Sequence, residues 1–119
     1  MAQIVVFGIP NCDTVKRARA WLDGQGLAYD FHDFKKAGVP LAGLERWLAA
    51  AGWELLLNRK GTTWRKLDGA QREAVHDAAS ARALMLAQSS VIKRPVLQWP
   101  DGAITVGFDA ADWAARVRR

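Results

Sequence analysis

One stretch near the start of the chain, residues 3–19, constrains the fold more than any other. Residues 3–7 are rich in β-branched side chains, which predicts a buried strand, and the glycine, proline and asparagine within residues 8–11 then break it with turn chemistry. From Val15 the apolar side chains recur with helical spacing until Gly24, so we expect a helix next. The stretch therefore predicts a strand, a loop and a helix in direct succession.

The only cysteine of the chain, Cys12, falls on the predicted loop directly before the helix. At a helix N-terminus the unpaired amides and the positive end of the dipole favour an anion, either a thiolate or a bound oxyanion. Lys16, Arg17 and Arg19 add positive charge nearby, whereas the carboxylate of Asp13 opposes it. An inert buried thiol is the alternative, but the neighbouring turn residues are poor core residues. We interpret Cys12 as a reactive thiol.

The remaining patterns predict one α/β domain that spans residues 1–119. Alternating apolar side chains over residues 27–32 predict a second strand, parallel to the first because a helix connects them. A Pro-Asp-Gly turn joins two short runs, 96–99 and 104–106, into a hairpin. The segment between, about residues 38–90, is predicted to be a mostly helical insertion. This order predicts a thioredoxin-like fold, in which helices flank a mixed four-stranded sheet and the insertion separates strands 2 and 3.

The helices of the second half are predicted from caps and apolar faces. Pro40 suits the first position of a helix whose inner face is predicted to carry Leu41, Leu44, Leu48 and Ala51. Ser80 is predicted to cap another helix after a polar, alanine-rich stretch. The final helix is expected to start after an N-cap at Asp109 and to bury Trp113.

The formal net charge of +5 raises the question of what the cations bind, and their placement matters more than their sum. Four of them, Arg59, Lys60, Arg65 and Lys66, lie within eight residues that contain no acid. The chain has neither an RNA motif with interleaved aromatic residues nor a helix-turn-helix pattern. We therefore expect a small anionic ligand and no nucleic acid.

A single cysteine excludes an internal disulfide, a paired-cysteine redox motif and a multi-cysteine zinc site, so no metal is predicted. No apolar run approaches the roughly 18 residues of a membrane span, and the first residues lack the pattern of a secretory signal. From these patterns we expect a monomer in the cytoplasm with no membrane partner.

Three blocks of sequence carry a family resemblance. Residues 8–19, 56–67 and 92–95 are similar, in this order, to the three motifs of the arsenate reductase-like (ArsC) family. Within the family the chain most resembles the ArsC-related branch of the YffB type, close to the Spx regulators. The blocks together span nearly the whole chain, and the resemblance implies the same thioredoxin-like fold.

The resemblance also implies a set of site residues. Arg94 precedes Pro95 at a strand entry, where a cis peptide bond is expected. The family's cis-proline faces the active-site cysteine, and the arginine before it contacts the anionic substrate. Arg59 corresponds to a second substrate arginine, and its planar fork suits an oxyanion better than the Lys60 ammonium. The implied site comprises Cys12 as the nucleophile, with Asn11, Arg59, Lys60, Arg94 and Pro95 in substrate binding.

The implied activity is that of a glutathione-dependent thiol reductase that acts through a single cysteine thiolate. Because no second cysteine can resolve an intermediate, glutathione is the expected co-substrate, a glutaredoxin the expected partner, and no cofactor is bound. Gly107 stands where arsenate reductases carry a third arginine, which argues against arsenate reduction. The alternative is an Spx-like adaptor that binds a partner such as RNA polymerase without catalysis. Spx regulators often carry a second cysteine at the position of Val15, which modestly favours the enzyme.

Overall fold

The computed structural model describes residues 3–118, which divide into two compact units. The sheet unit comprises residues 3–33 and 94–118, and the helical unit comprises residues 34–93. The strands are β1 (Ile4–Gly8), β2 (Tyr29–Asp33), β3 (Val96–Gln98) and β4 (Ile104–Val106). The helices of the sheet unit are α1 (Asp13–Gly24) and α8 (Ala110–Val117). The helical unit contains α2 (Phe34–Ala37), α3 (Leu41–Ala51), α4 (Trp53–Leu56), α5 (Thr62–Lys66), α6 (Gly69–Glu73), α7 (Ala78–Ala87) and a 3₁₀ turn (Ser89–Val91).

The four strands form one mixed sheet in the order β2-β1-β3-β4. β1 and β2 are parallel, as the intervening helix requires, whereas β3 is antiparallel to both β1 and β4. The predicted fold class, an α/β fold with a mixed four-stranded sheet and a helical segment between strands 2 and 3, is confirmed. The carboxyl ends of β1 and β2 meet at one edge of the sheet, where Gly8 pairs with Asp33.

The core of the sheet unit lies where α1 and α8 pack on one face of the sheet. Trp113 of α8 is 1% exposed and meets the rings of Phe108, Trp99 and Trp21 edge-on, at centroid distances of 4.7, 5.4 and 5.8 Å. Such edge-to-face pairs add to the stabilisation from area burial. The predicted N-cap of α8 is confirmed, because the Asp109 carboxylate accepts a hydrogen bond from the Asp112 amide at 3.1 Å. The buried members of this cluster are Ile4, Val6, Ala18, Leu22, Leu97, Trp99 and Trp113.

Short helices with local caps make up the helical unit. The cap predicted at Ser80 is wrong: Asp77 is the N-cap of α7, and Ser80 is the third helical residue. The Asp77 carboxylate accepts hydrogen bonds from both the amide and the hydroxyl of Ser80, at 2.8 and 2.7 Å. The hydroxyl in turn accepts a hydrogen bond from the Asp77 amide. The two residues thus form a capping box with Asp77 at the N-cap and Ser80 at the third helical position.

The inner face of α3 agrees with the prediction at Leu44, which is fully buried, and differs from it at Leu41. Leu41 is 57% exposed, whereas Trp47 is fully buried and stacks at an angle on Phe34, with ring centroids 6.0 Å apart. Pro40 is the N-cap residue and not the first helical residue. Leu44 and Trp47 lie three residues apart on one side of the helix, and the large apolar surface of Trp47 favours burial of that side over the side that carries Leu41. Across residues 3–118, no helix is long and apolar enough to cross a membrane.

Candidate functional site

The position of Cys12 is the one that the sequence predicts. It is the N-cap residue of α1 in extended conformation, with φ −144° and ψ 124°, and its carbonyl accepts the Lys16 amide at 2.9 Å. The residue is half-buried, and its thiol makes no cap hydrogen bond. The amides of the first helical turn have no acceptor within the helix, and they carry the positive end of the helix dipole. An anionic sulfur at this position is therefore stabilised by the helix that it caps.

Gly8 brings two parts of the site together at the end of β1. A Cβ atom on Gly8 would lie 3.0 Å from Val15 Cγ2 and 3.9 Å from Arg94 Cβ. The first contact shows that the first turn of α1 packs directly on the strand end, and Val15 is fully buried there. The second shows that Arg94 lies at the same strand end. The absence of a side chain at residue 8 thus allows the cysteine helix and Arg94 to approach the end of β1 closely.

The peptide bond between Arg94 and Pro95 is cis, as predicted. β1 and β3 pair up to Phe7 and Val96, so Gly8 and Pro95 continue the two strands by one residue toward the cysteine loop. Pro95 is buried, and its carbonyl accepts the Gly107 amide at 2.8 Å. Arg94 is half-buried as a residue, and its Nε atom is buried.

Arg19 does not contribute to the charge around the thiol. Its Nε donates to the Tyr29 hydroxyl at 3.1 Å, and its guanidinium lies 4.1 Å from the Phe31 ring centroid. Tyr29 pairs with Ile4, at the end of β1 that is remote from Cys12. Cation–π attraction to the β2 aromatic residues therefore turns this arginine away from the site. The helix N-terminus remains as a source of positive potential, together with Arg94 at the same strand end and the exposed Lys16 and Arg17 of α1.

Arg59 and Lys60 belong to the helical unit, where they form an exposed turn. The Asn58 side-chain oxygen accepts the Lys60 amide at 3.1 Å, and a Cβ on Gly61 would lie 2.8 Å from the Asn58 amide nitrogen. The Arg59 guanidinium lies 5.3 Å from the Trp53 ring centroid. The turn thus presents both cations to solvent, and their role in substrate binding stays a prediction. Asn11 is exposed beside Cys12, and its role in substrate binding also stays a prediction.

Sequence reasoning missed the structural role of two glycines. The sequence pattern predicts Gly8 only as a strand breaker, whereas its contacts with Val15 and Arg94 set how closely two elements of the site approach each other. Gly107 has φ +86° and donates to the Pro95 carbonyl, so it joins the end of the hairpin to the cis-proline. The signal for Gly107 was present, because a glycine directly after a strand often marks a left-handed residue. Within residues 3–118 no cluster of acids, histidines and cysteine is suited to a metal ion.

Comparison with known proteins decides the family. The profile of the ArsC family matches residues 7–116, which include the cysteine loop, the basic turn and the cis-proline. The chain belongs to the ArsC family. A Haemophilus influenzae protein is 35% identical over 112 residues, a match that covers 94% of this chain and 96% of the relative.

Two solved structures extend the similarity to the fold. The YffB protein is 54% identical, with a TM-score of 0.88 and coverage of 94% of this chain and 96% of that protein. The solution structure of an ArsC-related protein from Brucella melitensis is 51% identical, with a TM-score of 0.75 and coverage of 99% and 97%. This ArsC-family chain therefore resembles, over nearly its whole length, proteins related to arsenate reductases, and the predicted resemblance is confirmed.

Proposed function

We propose that this ArsC-family chain is a thiol oxidoreductase that exchanges disulfides through Cys12 and uses glutathione as co-substrate. One observation carries the proposal: the only cysteine caps the twelve-residue helix α1 at the strand end where Arg94 and the cis-proline lie. The thiolate is the nucleophile in disulfide exchange, and a helix N-terminus stabilises it both as attacking and as leaving group. Family membership supports a thiol reductase in general terms.

In the proposed reaction, the Cys12 thiolate attacks one sulfur of a glutathione-containing disulfide. The bond between Cys12 and the glutathione sulfur forms as the substrate disulfide breaks, and the other thiol leaves as a thiolate that takes a proton from solvent. A second glutathione thiolate then attacks the mixed disulfide, which regenerates the Cys12 thiolate and yields oxidised glutathione. The substrate disulfide gains two electrons, and two glutathione molecules lose them. A glutaredoxin would serve in place of the second glutathione.

Arg94 holds the anionic part of the substrate in this proposal. Glutathione carries two carboxylates, and a bidentate arginine binds a carboxylate with two parallel hydrogen bonds. Partial enclosure of the Arg94 side chain limits the entropy that binding costs. Pro95 provides the rigid backbone beside it, and Asn11, Arg59 and Lys60 are further contacts that the family resemblance implies.

The test is to incubate the protein with oxidised glutathione and to measure its intact mass. We expect one glutathione per chain, bound to Cys12, and none on a Cys12→Ser variant. Arg94→Ala should slow formation of the adduct about tenfold or more, since a hydrogen bond to a charged group is lost, whereas Arg118→Ala removes an exposed cation and should change nothing. A folded protein that forms no adduct would contradict the proposal, and a stable complex with RNA polymerase would then support the adaptor function.

Arsenate is expected to be a poor substrate. Gly107 supplies no cation where arsenate reductases carry their third arginine, so one oxyanion contact is missing. The φ of +86° means that an arginine introduced at this position would be strained, so Gly107→Arg is not expected to restore the activity. Steady-state arsenate reduction, with glutathione and glutaredoxin supplied, measures this directly. Turnover at the rate of a dedicated arsenate reductase would show that two arginines suffice.

A further inference from the structure

A cavity of the sheet unit lies away from Cys12. It has a volume of about 320 Å³, and its apolar wall includes Ile4, Leu27, Trp99 and Val117. Ile4 begins β1, and the cysteine loop follows the other end of this five-residue strand, so the two places are separated by about 13 Å along β1. This volume is at the lower end of the range, about 300–1,000 Å³, that is typical of small-molecule sites.

Two charged side chains of opposite sign line the same cavity, Arg116 and Asp101. The Arg116 Nε donates to the Asp112 carboxylate at 2.9 Å, which fixes the side chain, while its terminal amino groups bond to no residue within 3–118. One oxygen of Asp101 accepts the Ala103 amide at 2.9 Å, and the other accepts from no described residue. The cavity therefore offers one cationic donor and one anionic acceptor beside an apolar wall.

Trp99, the aromatic residue of the wall, offers no free polar group to a ligand. The Trp99 indole N–H donates to the Thr105 hydroxyl at 2.9 Å, so the polar edge of the ring is already satisfied. The Arg116 guanidinium already pairs with Asp112, and Asp101 is exposed to solvent, so neither charge needs a ligand to compensate it. A simple anion bound at Arg116 would nevertheless lie beside the Asp101 carboxylate, which repels it, and a simple cation bound at Asp101 would lie beside the Arg116 guanidinium. A ligand that carries both charges avoids both repulsions.

We propose that this cavity binds a free α-amino acid with a bulky apolar side chain. Its carboxylate bonds to Arg116, its ammonium group bonds to Asp101, and its side chain packs against Trp99 and the aliphatic wall. The site is independent of thiol chemistry, so its occupancy and the activity of Cys12 are separate questions.

Three probes with the same apolar body test the proposal on the wild-type protein: L-phenylalanine, 3-phenylpropionate, which lacks the ammonium group, and 2-phenylethylamine, which lacks the carboxylate. Titrations followed by amide and indole nitrogen–proton NMR give the affinity and the location of each probe. We expect shifts at Trp99, Asp101 and Val117, with L-phenylalanine bound about tenfold more tightly than either single-charge probe. The proposal is overturned if the three probes bind alike, if either single-charge probe binds more tightly, or if none shifts these residues.

Matched variants locate the two charges. Arg116→Met keeps the apolar stem and should lower the affinity for L-phenylalanine to that for 2-phenylethylamine. Asp101→Asn keeps an acceptor for the Ala103 amide and should lower it to the affinity for 3-phenylpropionate. Arg118→Met is the control for an exposed cation outside the cavity wall and should leave binding unchanged, as should Cys12→Ser. Unchanged binding of L-phenylalanine to Arg116→Met would contradict the assignment of the carboxylate.

Discussion

The sheet unit and the helical unit obtain their structure in different ways. In the sheet unit, segments far apart in sequence pair directly. β1 pairs with β2 on one side and, on the other side, with β3, which follows some ninety residues later. Its largest buried side chain, Trp113, packs against three other aromatic rings. The structure of this unit therefore depends on contacts that only the complete unit provides.

The helical unit depends more on neighbours in sequence. Two of its helices, α6 and α7, begin with capping boxes in which donor and acceptor are three residues apart. Its basic turn is likewise held by an Asn58 contact two residues along the chain. The unit also contains hydrogen bonds between residues far apart in sequence. The Asn58 amide donates to the Val91 carbonyl, and the Lys93 amide donates to the Leu56 carbonyl. In this unit, local capping hydrogen bonds define where the short helices begin, and tertiary contacts hold the helices together.

The difference teaches where the chemistry of the site is anchored. Cys12, Arg94 and Pro95 all lie in the sheet unit, where strand pairing and Gly8 fix their positions. Arg59 and Lys60 lie on a turn that local hydrogen bonds define. We expect substitutions in the first set to affect folding and chemistry together, and substitutions in the second to affect mainly local structure.

The largest expected effect is the loss of Trp113. Trp113→Ala should lower the free energy of unfolding by about 3–5 kcal/mol, because a fully buried ring with three aromatic partners leaves a large cavity. The matched variant is Trp47→Ala in the helical unit, where an equally buried tryptophan meets one other ring at 6.0 Å. We expect Trp47→Ala at the lower end of the same range. Urea denaturation measures both, and an equal or larger loss for Trp47→Ala would break the comparison.

Gly8→Ala should lower both stability and reactivity. The new methyl group meets buried Val15 at 3.0 Å, and overpacking of this kind costs about 1–3 kcal/mol. The first turn of α1 must then shift relative to Arg94, so formation of the glutathione adduct on Cys12 should slow. Thermal denaturation and adduct mass spectrometry measure the two effects.

Gly24→Ala is the matched control on the same helix. A Cβ at Gly24 has no atom within 4 Å, and the residue does not adopt positive φ, so alanine should be neutral or stabilise by up to about 1 kcal/mol. If Gly8→Ala behaves like Gly24→Ala, then the close packing at the strand end does not position the cysteine helix.

A smaller effect is expected for Gly61→Ala in the helical unit. Its Cβ would lie 2.8 Å from the end of the Asn58 side chain, which can rotate away, so the cost is one hydrogen bond to the Lys60 amide, about 0.5–1.5 kcal/mol. Gly69→Ala, where a Cβ meets nothing within 4 Å, is the control. Chemical denaturation measures both, and a loss as large as that of Gly8→Ala would mean that the basic turn is as constrained as the strand end.

The same division decides how much of the fold the sequence predicts. Strand and helix periodicity, turn residues and the helical crossover predict the sequence of the elements along the chain, the parallel pairing of β1 with β2 and the β3–β4 hairpin, because each signal is strong in the sheet unit. The α1 face was also predicted, and Val15, Ala18 and Leu22 are its buried residues. In the helical unit the helices are four to eleven residues long, so periodicity is weak and neighbouring polar residues compete as caps. Ser80 and Asp77 illustrate this competition, since both are good cap residues.

For the candidate site, the turn and helix pattern predicted Cys12 at the helix start, and the family resemblance predicted the cis-proline at the strand entry. Sequence reasoning failed for Arg19, which lies seven residues after Cys12, near in sequence but directed along α1 toward the aromatic residues of β2. Proximity in sequence does not determine the side of a helix on which a long side chain lies. The contacts of Gly8 were equally inaccessible, because they depend on the distance between two packed elements.

The smallest effect concerns the pH dependence of the α7 cap. The amide of Ser80 and then its hydroxyl donate to the Asp77 carboxylate and hold its pKa below the usual 3.8, an effect to which His76 adds. A lowered pKa in the folded state means that the ionised carboxylate stabilises α7 above pH 3.8, and that this contribution is lost as the pH falls below that value. Because Asp77 is exposed, we expect a small loss.

The measurement is the difference in free energy of unfolding between wild type and Asp77→Asn, which keeps an acceptor but cannot ionise. This difference should shrink as the pH falls below 3.8. Ser80→Ala removes the hydroxyl donor but keeps the amide, so the pH dependence should become weaker without vanishing. If the difference does not change with pH, the capping charge contributes nothing to α7, and the helical unit would depend on tertiary packing as the sheet unit does.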